Sequence, residues 1–80
     1  MIRLVFLGRL ADLAGRPVRD LAAVGPMPLP AILATMSAPL AAALADDRIK
    51  LALNGVVTPR EGLVAGPGDE LAFLPPVSGG

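Results

Sequence analysis

No cysteine, histidine, tryptophan or tyrosine occurs in this chain, and phenylalanine occurs only twice. Each absence removes a class of chemistry. Without His or Cys, no side chain has an unperturbed pKa near neutrality, so the commonest general base is missing. Thr35, Ser37, Thr58 and Ser78 have no imidazole to activate them, which excludes a serine-type triad. No disulfide can form, so stability must come from packing. A metal would depend on carboxylates alone, and Asp46-Asp47 and Asp69-Glu70 are adjacent pairs that point apart on a strand and do not stack on a helix. Both pairs read as solvated loop charges. Lys50, the only lysine, reads as an exposed strand residue and not as a Schiff-base former. The expectation is a chain that is not an enzyme by itself, with no bound cofactor and no metal.

Charge is also sparse and balanced. Lys and Arg together number 7, as do Asp and Glu, and they are scattered. With no basic stripe and few aromatics, nucleic-acid binding is not expected, nor is a basic amphipathic face for a membrane surface. Leu21 to Ala45 carries no charge over 25 positions, long enough to span a bilayer. Pro26, Pro28, Pro30 and Pro39 interrupt it, however, and a proline inside a helix costs ~3 kcal/mol. The stretch therefore reads as a turn followed by short buried helices. Gly8, Arg9 and Asp12 interrupt any signal-peptide core, so a cytoplasmic protein is expected.

What is present is a short aliphatic chain. Its 80 residues make one domain that buries roughly 60% of the unfolded surface. Apolar residues reach 54%, fourteen of them alanine. Ile2, Leu4 and Phe6 alternate along a first strand over residues 2–7, with Arg3, Val5 and Leu7 on its other face. Arg9 to Ala14 reads as a helical or irregular turn closed by Gly15. Arg16 to Val24 returns as a second strand paired with the first. Pro28 to Ser37 is the expected main helix, with Leu29, Ile32, Leu33 and Met36 along one stripe. A short helix follows over Leu40 to Ala45.

Arg48 to Asn54 is a third strand, with Ile49, Leu51 and Leu53 facing one way and Lys50 and Ala52 the other. Asn54-Gly55 signals a tight turn into a short strand at Val56-Val57. Thr58 to Gly68 reads as a loop. Glu70 to Leu74 is the last strand, with Leu71 and Phe73 inward and Ala72 and Leu74 outward. This order implies an α+β fold of the β-grasp, ubiquitin-like type: a mixed sheet of four to five strands packed on one main helix plus a short helix. The last strand should lie in the middle beside the first, which buries both hydrophobic ends of a short chain.

The sheet face away from the helices should carry Val5, Leu7, Ala52 and Leu74, with Val57, and only Arg3 and Lys50 as charges. Such a face is more apolar than solvent favours, and an exposed apolar patch of this kind marks a contact site. Beyond it, residues 75–80 form an extended tail to the domain at 1–74. Pro75 and Pro76 fix φ and remove two donors, which makes a rigid stalk. Gly79 and Gly80 add no Cβ, so the tip can thread a narrow channel and leaves its carbonyl open to a nucleophile. A terminal pair of glycines arises by chance in about 1% of chains of this composition. The reactive group is therefore expected to be the main-chain carboxylate of Gly80.

The stretch Gly68-Asp69-Glu70-Leu71-Ala72-Phe73-Leu74-Pro75-Pro76-Val77-Ser78-Gly79-Gly80 resembles the C-terminal signature of the MoaD family, the small sulfur-carrier subunits of molybdopterin synthase. Phe6, Arg9 and Leu10, followed by Asp12, resemble the family's N-terminal Phe-Ala-Arg-Leu segment, with Gly8 in place of the usual alanine. Asn54 after an apolar strand matches as well. The proline cluster at 26–30 and the turn Gly66-Pro67-Gly68 depart from the pattern.

The resemblance implies a ThiS/MoaD-like sulfur carrier without catalytic side chains of its own. A MoeB-like, ubiquitin-activating-type adenylyltransferase would use ATP to adenylate Gly80, and a persulfide donor would convert the acyl-adenylate to a thiocarboxylate. Pro75, Pro76, Val77, Ser78 and Gly79 would carry that sulfur into the active site of a MoaE-like large subunit, in a heterotetrameric synthase. Leu7, Leu74 and Val57 would belong to the docking patch. Two other readings share the activation chemistry: a carrier for thiamine, tRNA thiolation or an amino acid, and a ubiquitin-like protein modifier. A purely structural interaction domain is the third, and for it the C-terminus would be dispensable.

Overall fold

The computed structural model describes residues 1–76. Five strands form one mixed sheet: β1 (Ile2–Phe6), β2 (Val18–Leu21), β4 (Lys50–Leu53), β5 (Val56–Thr58) and β7 (Glu70–Leu74). Their spatial order is β2-β1-β7-β4-β5. β7 pairs with β1 in parallel and with β4 antiparallel, so the last strand does occupy the centre. The cause is visible in the burial: Ile2, Leu4, Leu71 and Phe73 have no exposure and Phe6 has 1%, and only adjacent central strands can hide both sets.

Three helices cover the inner face: α1 (Arg9–Ala14), α2 (Leu29–Leu33) and α3 (Ala38–Leu44). None is long enough to be stable alone. Each is held by what it buries, namely Leu10 from α1, Leu29 and Ile32 from α2, and Leu40 and Leu44 from α3. Burying one such side chain stabilises by about 1.5–3 kcal/mol. No helix among the described residues is long and apolar enough to cross a membrane.

The expected main helix over Pro28–Ser37 is shorter than its pattern suggested. After Ala34, the hydrogen bonds tighten to i−3: Thr35 N donates to the Ile32 carbonyl at 3.1 Å and Met36 N to that of Leu33 at 3.1 Å. The Thr35 hydroxyl also donates to the Ile32 carbonyl, at 2.7 Å, competing with the backbone for that acceptor. Met36 still leans on the core, so the apolar stripe outlasts the α-helix. The second helix begins at Ala38, ahead of the expected Leu40, because Pro39 suits a first turn. The inner layer is thus shared between α2 and α3, not carried by one main helix.

The second strand is also shorter than Arg16–Val24. Pro17 has no N–H for the ladder, although its carbonyl accepts the Phe6 N–H at 2.8 Å. Within the expected loop Thr58–Gly68, Val64–Ala65 (β6) pairs with Met27–Pro28 (β3) as a separate two-stranded sheet. Leu63 and Ala65 are buried there. Asn54 (φ 51°) and Gly55 (φ 83°) both take positive φ, the conformation a tight hairpin needs.

Candidate functional site

β7 brings the chain out through the middle of the sheet. Its last residue, Leu74, lies opposite Lys50 of β4. Leu7 N donates to the Phe73 carbonyl at 3.1 Å, and beyond this bond the two central chains part. β1 turns at Gly8, whose φ of 55° is positive, and a Cβ there would sit 3.2 Å from Pro75 Cγ. Glycine thus serves both the backbone turn and the seat of the Pro75 ring. Pro76 lines a hollow of about 320 Å³ with Arg9, Leu10 and Leu13 of α1, Ala43 of α3, and Ile49. Both prolines therefore rest against the start of α1 or its neighbours. Val77, Ser78, Gly79 and Gly80 lie outside the described residues.

The outer face carries a continuous apolar row across all five strands. Val18 pairs with Val5, Val5 with Ala72, Ala72 with Ala52, and Ala52 with Val57. Cross-strand partners share a face, so no charge interrupts this row. Val57 is 66% exposed, Val18 42% and Leu7 41%, whereas Ala52 and Ala72 are 9% exposed. Longer neighbours shade the alanines, which form a floor between raised edges. Leu74 is half-buried. Sequence reasoning placed Val5, Leu7, Ala52, Leu74 and Val57 on this face but missed Val18, because the apolar pattern around it is too weak to fix its direction.

Charges frame the row. At one end Asp20, Arg3 and Glu70 are cross-strand neighbours, with Arg3 Nε 3.9 Å from Asp20 Oδ1. At the other end Lys50 is exposed and has no carboxylate within ion-pair distance among the described residues. A hollow of about 480 Å³ beside it is shared by Asp47, Glu61, Arg60 and Val57.

Two acids expected to be free loop charges are tied into turns instead. Arg48 grips Asp46 through Nε at 3.1 Å and Nη2 at 2.8 Å, and the guanidinium holds that carboxyl well below the usual carboxylate range. Asp69 accepts Asn54 Nδ2 at 3.0 Å and the Gly66 N–H at 2.7 Å. Those donors, Asn54 first, lower its pKa. Asn54 Oδ1 in turn accepts the Glu70 N–H at 2.8 Å, which fixes the start of β7. Among the described residues no three of His, Cys, Asp or Glu are grouped to hold a metal.

No curated protein matches the chain. Solved structures do. It is similar to SAMP1 from Haloferax volcanii, with a TM-score of 0.73 and 26% identity over 99% of this chain and 98% of that one. A second structure of this H. volcanii small archaeal modifier protein 1 gives 0.72 and 25% identity over 95% and 97%. A protein–protein complex of subunits 1 and 2 of molybdopterin-converting factor from Helicobacter pylori 26695 gives 0.63 and 23% identity over 99% and 97%. The last likeness concerns the fold alone. The model of the ThiS family matches residues 4–80, nearly the whole sequence and through Gly79-Gly80. The chain belongs to the ThiS family, the ThiS/MoaD-like ubiquitin-like sulfur carriers.

Proposed function

We propose that this protein is the small subunit of a cytoplasmic molybdopterin synthase, a carrier that bears sulfur as a thiocarboxylate on Gly80. The observation that carries the reading is the course of β7. It runs through the middle of the apolar face and delivers Pro75 and Pro76, seated against α1, at the edge of that face. A body held by a partner through this face would present residues 77–80 at a fixed place. The resemblance of the closing Pro-Pro-Val-Ser-Gly-Gly to the MoaD signature supports the choice of pathway.

A carboxylate of pKa about 3.5 is ionised at neutral pH and is a poor electrophile. Attack of the Gly80 carboxylate on the α-phosphate of ATP, on a MoeB-like enzyme, would release pyrophosphate and leave an acyl-adenylate. Persulfide sulfur from a donor protein would then displace AMP, and reductive cleavage of the resulting acyl disulfide by a thiol would leave the thiocarboxylate. That soft nucleophile would attack the pterin precursor inside a MoaE-like subunit. Catalytic side chains would come from the partner, in keeping with a chain that has no His or Cys. Pro75 to Gly79 would thread the channel, and Leu7, Leu74 and Val57 would dock.

A second reading has its own support: SAMP1, at 26% identity, is a small archaeal modifier protein. In it the activated Gly80 carbonyl would be captured by a lysine of a target protein. Intact mass of the protein from cells separates the two. A carrier shows one oxygen replaced by sulfur, while a modifier shows conjugates heavier by whole proteins. A population with neither species, in cells making molybdopterin, rejects the carrier.

A further inference from the structure

The end of α1, the edge strand β2 and the α2–α3 junction enclose a hollow of about 290 Å³. Its apolar lining includes the buried Phe6 and Leu40, and its polar lining is Arg16, Arg19, Thr35 and Ser37. Arg19 pairs with Leu4 across the β1–β2 ladder, and Leu4 is fully buried. Cross-strand partners share a face, so half-buried Arg19 points to the helical side of the sheet. There its Nη1 donates to the Thr35 carbonyl at 3.5 Å. Arg16 is exposed at the rim.

Both charges lining this hollow are positive. Neither guanidinium has a carboxylate within ion-pair distance among the described residues. The acids nearest them in sequence do not answer them. Asp12 does not line the hollow, and Asp20 lies on the opposite face of β2, beside Arg3. Four other hollows each hold an acid together with their cations, so the excess charge is particular to this place. The Ser37 hydroxyl does not cap α3, which leaves it able to donate into the hollow.

We propose that this hollow binds a phosphate group, gripped by Arg16 and Arg19 with the Ser37 hydroxyl as a third donor. Guanidinium forks match phosphate oxygens in pairs. A carboxylate has too few oxygens to serve two forks, whereas a phosphate can turn a different edge to each. The apolar lining excludes water from one side and strengthens the attraction. Ligand pockets run from about 300 to 1,000 Å³, so this one takes inorganic phosphate or a small phosphomonoester and not a nucleotide. A bound phosphate would tie the edge strand β2 to the α2–α3 junction. The site lies on the helical side of the sheet, away from the outer face, and does not depend on the carrier reading.

Melting of the full-length protein in rising phosphate, with chloride adjusted to hold ionic strength constant, tests this. A Kd of about 1 mM should give a saturating rise in melting temperature, at least about 5 °C at about 20 mM phosphate. Amide NMR signals of Arg19 and Ser37 should shift along the same binding curve. Arg16→Gln and Arg19→Gln should each weaken binding at least ~10-fold. Arg16 is exposed, so its variant keeps the test open should Arg19→Gln fold poorly. Lys50→Gln removes the same charge from the outer face and should leave binding unchanged. Glycerol 3-phosphate run in parallel identifies the source: tighter binding than inorganic phosphate assigns the site to an organic phosphate, and equal or weaker binding to the free ion. No saturable rise beyond the chloride control, or a rise that Arg16→Gln leaves intact, overturns the inference.

Discussion

The rings of Phe6 and Phe73 stack across the parallel ladder between the first and last strands, with centroids 5.6 Å apart and planes 9° from parallel. They are the only aromatic side chains in the protein, and both are buried. An aromatic pair adds about 0.5–1.5 kcal/mol beyond its area, and removing one ring leaves a cavity. Phe73→Ala should cost about 3–5 kcal/mol, against a total near 4–12 kcal/mol for a domain of this length. The urea midpoint should fall sharply with little change in slope. A loss under about 1 kcal/mol would show that the stack does not join the two termini.

Acid should loosen the start of β7. The folded pKa of Asp69 lies below its ordinary 3.8 because Asn54 Nδ2 and the Gly66 N–H donate to the ionised carboxylate. A depressed folded pKa stabilises above the unfolded value, and that contribution is lost as pH falls below 3.8 toward the folded pKa. Asp69→Asn should lower stability near neutrality and flatten the decline in acid. Denaturation midpoints of both proteins across that range check it; parallel curves would contradict the assignment. Asp46 titrates in the same direction through Arg48, so the variant removes only part of the slope.

The two central strands were legible because Ile2, Leu4 and Phe6, like Leu71 and Phe73, alternate cleanly and one side of the sheet is fully buried. Asn54-Gly55 was legible because its turn demands positive φ. The β3–β6 pair was not, since two residues per strand, paired between Met27–Pro28 and Val64–Ala65 far apart in sequence, leave no local period. The helical stripe from Leu29 to Met36 overstated the α-helix, because a 3₁₀ turn can keep Met36 on the core without keeping the i−4 bond. At the site, Leu7, Leu74 and Val57 follow from strand parity. The roles of Asp46 and Asp69 depend on donors brought close by the turns themselves, which residue type alone does not announce.

Leu74→Glu should weaken docking and spare the fold. Leu74 lies on the outer face opposite Lys50, so a glutamate there can meet that cation across the ladder, an arrangement worth about 0.2–1 kcal/mol. The same charge in an apolar contact would be desolvated. Affinity for a MoaE-like subunit should drop at least ~10-fold, while the urea midpoint stays within about 0.5 kcal/mol of wild type. Val57→Glu should behave alike, because Val57 is an exposed edge of the same row. Unchanged affinity in both would move docking to another surface.

If Gly80 is the acylated residue, its reach is set by counting from Pro76. Four residues extend at most about 13 Å beyond it, and one residue added after Gly80 displaces the carboxylate by about 3 Å. A 1 Å misplacement of reacting groups can already lower a rate about 10²-fold. An added alanine should therefore abolish pyrophosphate release with a MoeB-like enzyme and ATP, with the domain's melting temperature unchanged. Gly79→Trp should do the same by width and not by length, since a bulky side chain beside the tip cannot follow a narrow channel. The two faults predict the same response to a mixture with wild type. Each variant retains the outer face, so each should still compete with wild type for the enzyme. Competition without turnover assigns docking to the body and chemistry to the tip, whereas full turnover by either variant removes the threading requirement.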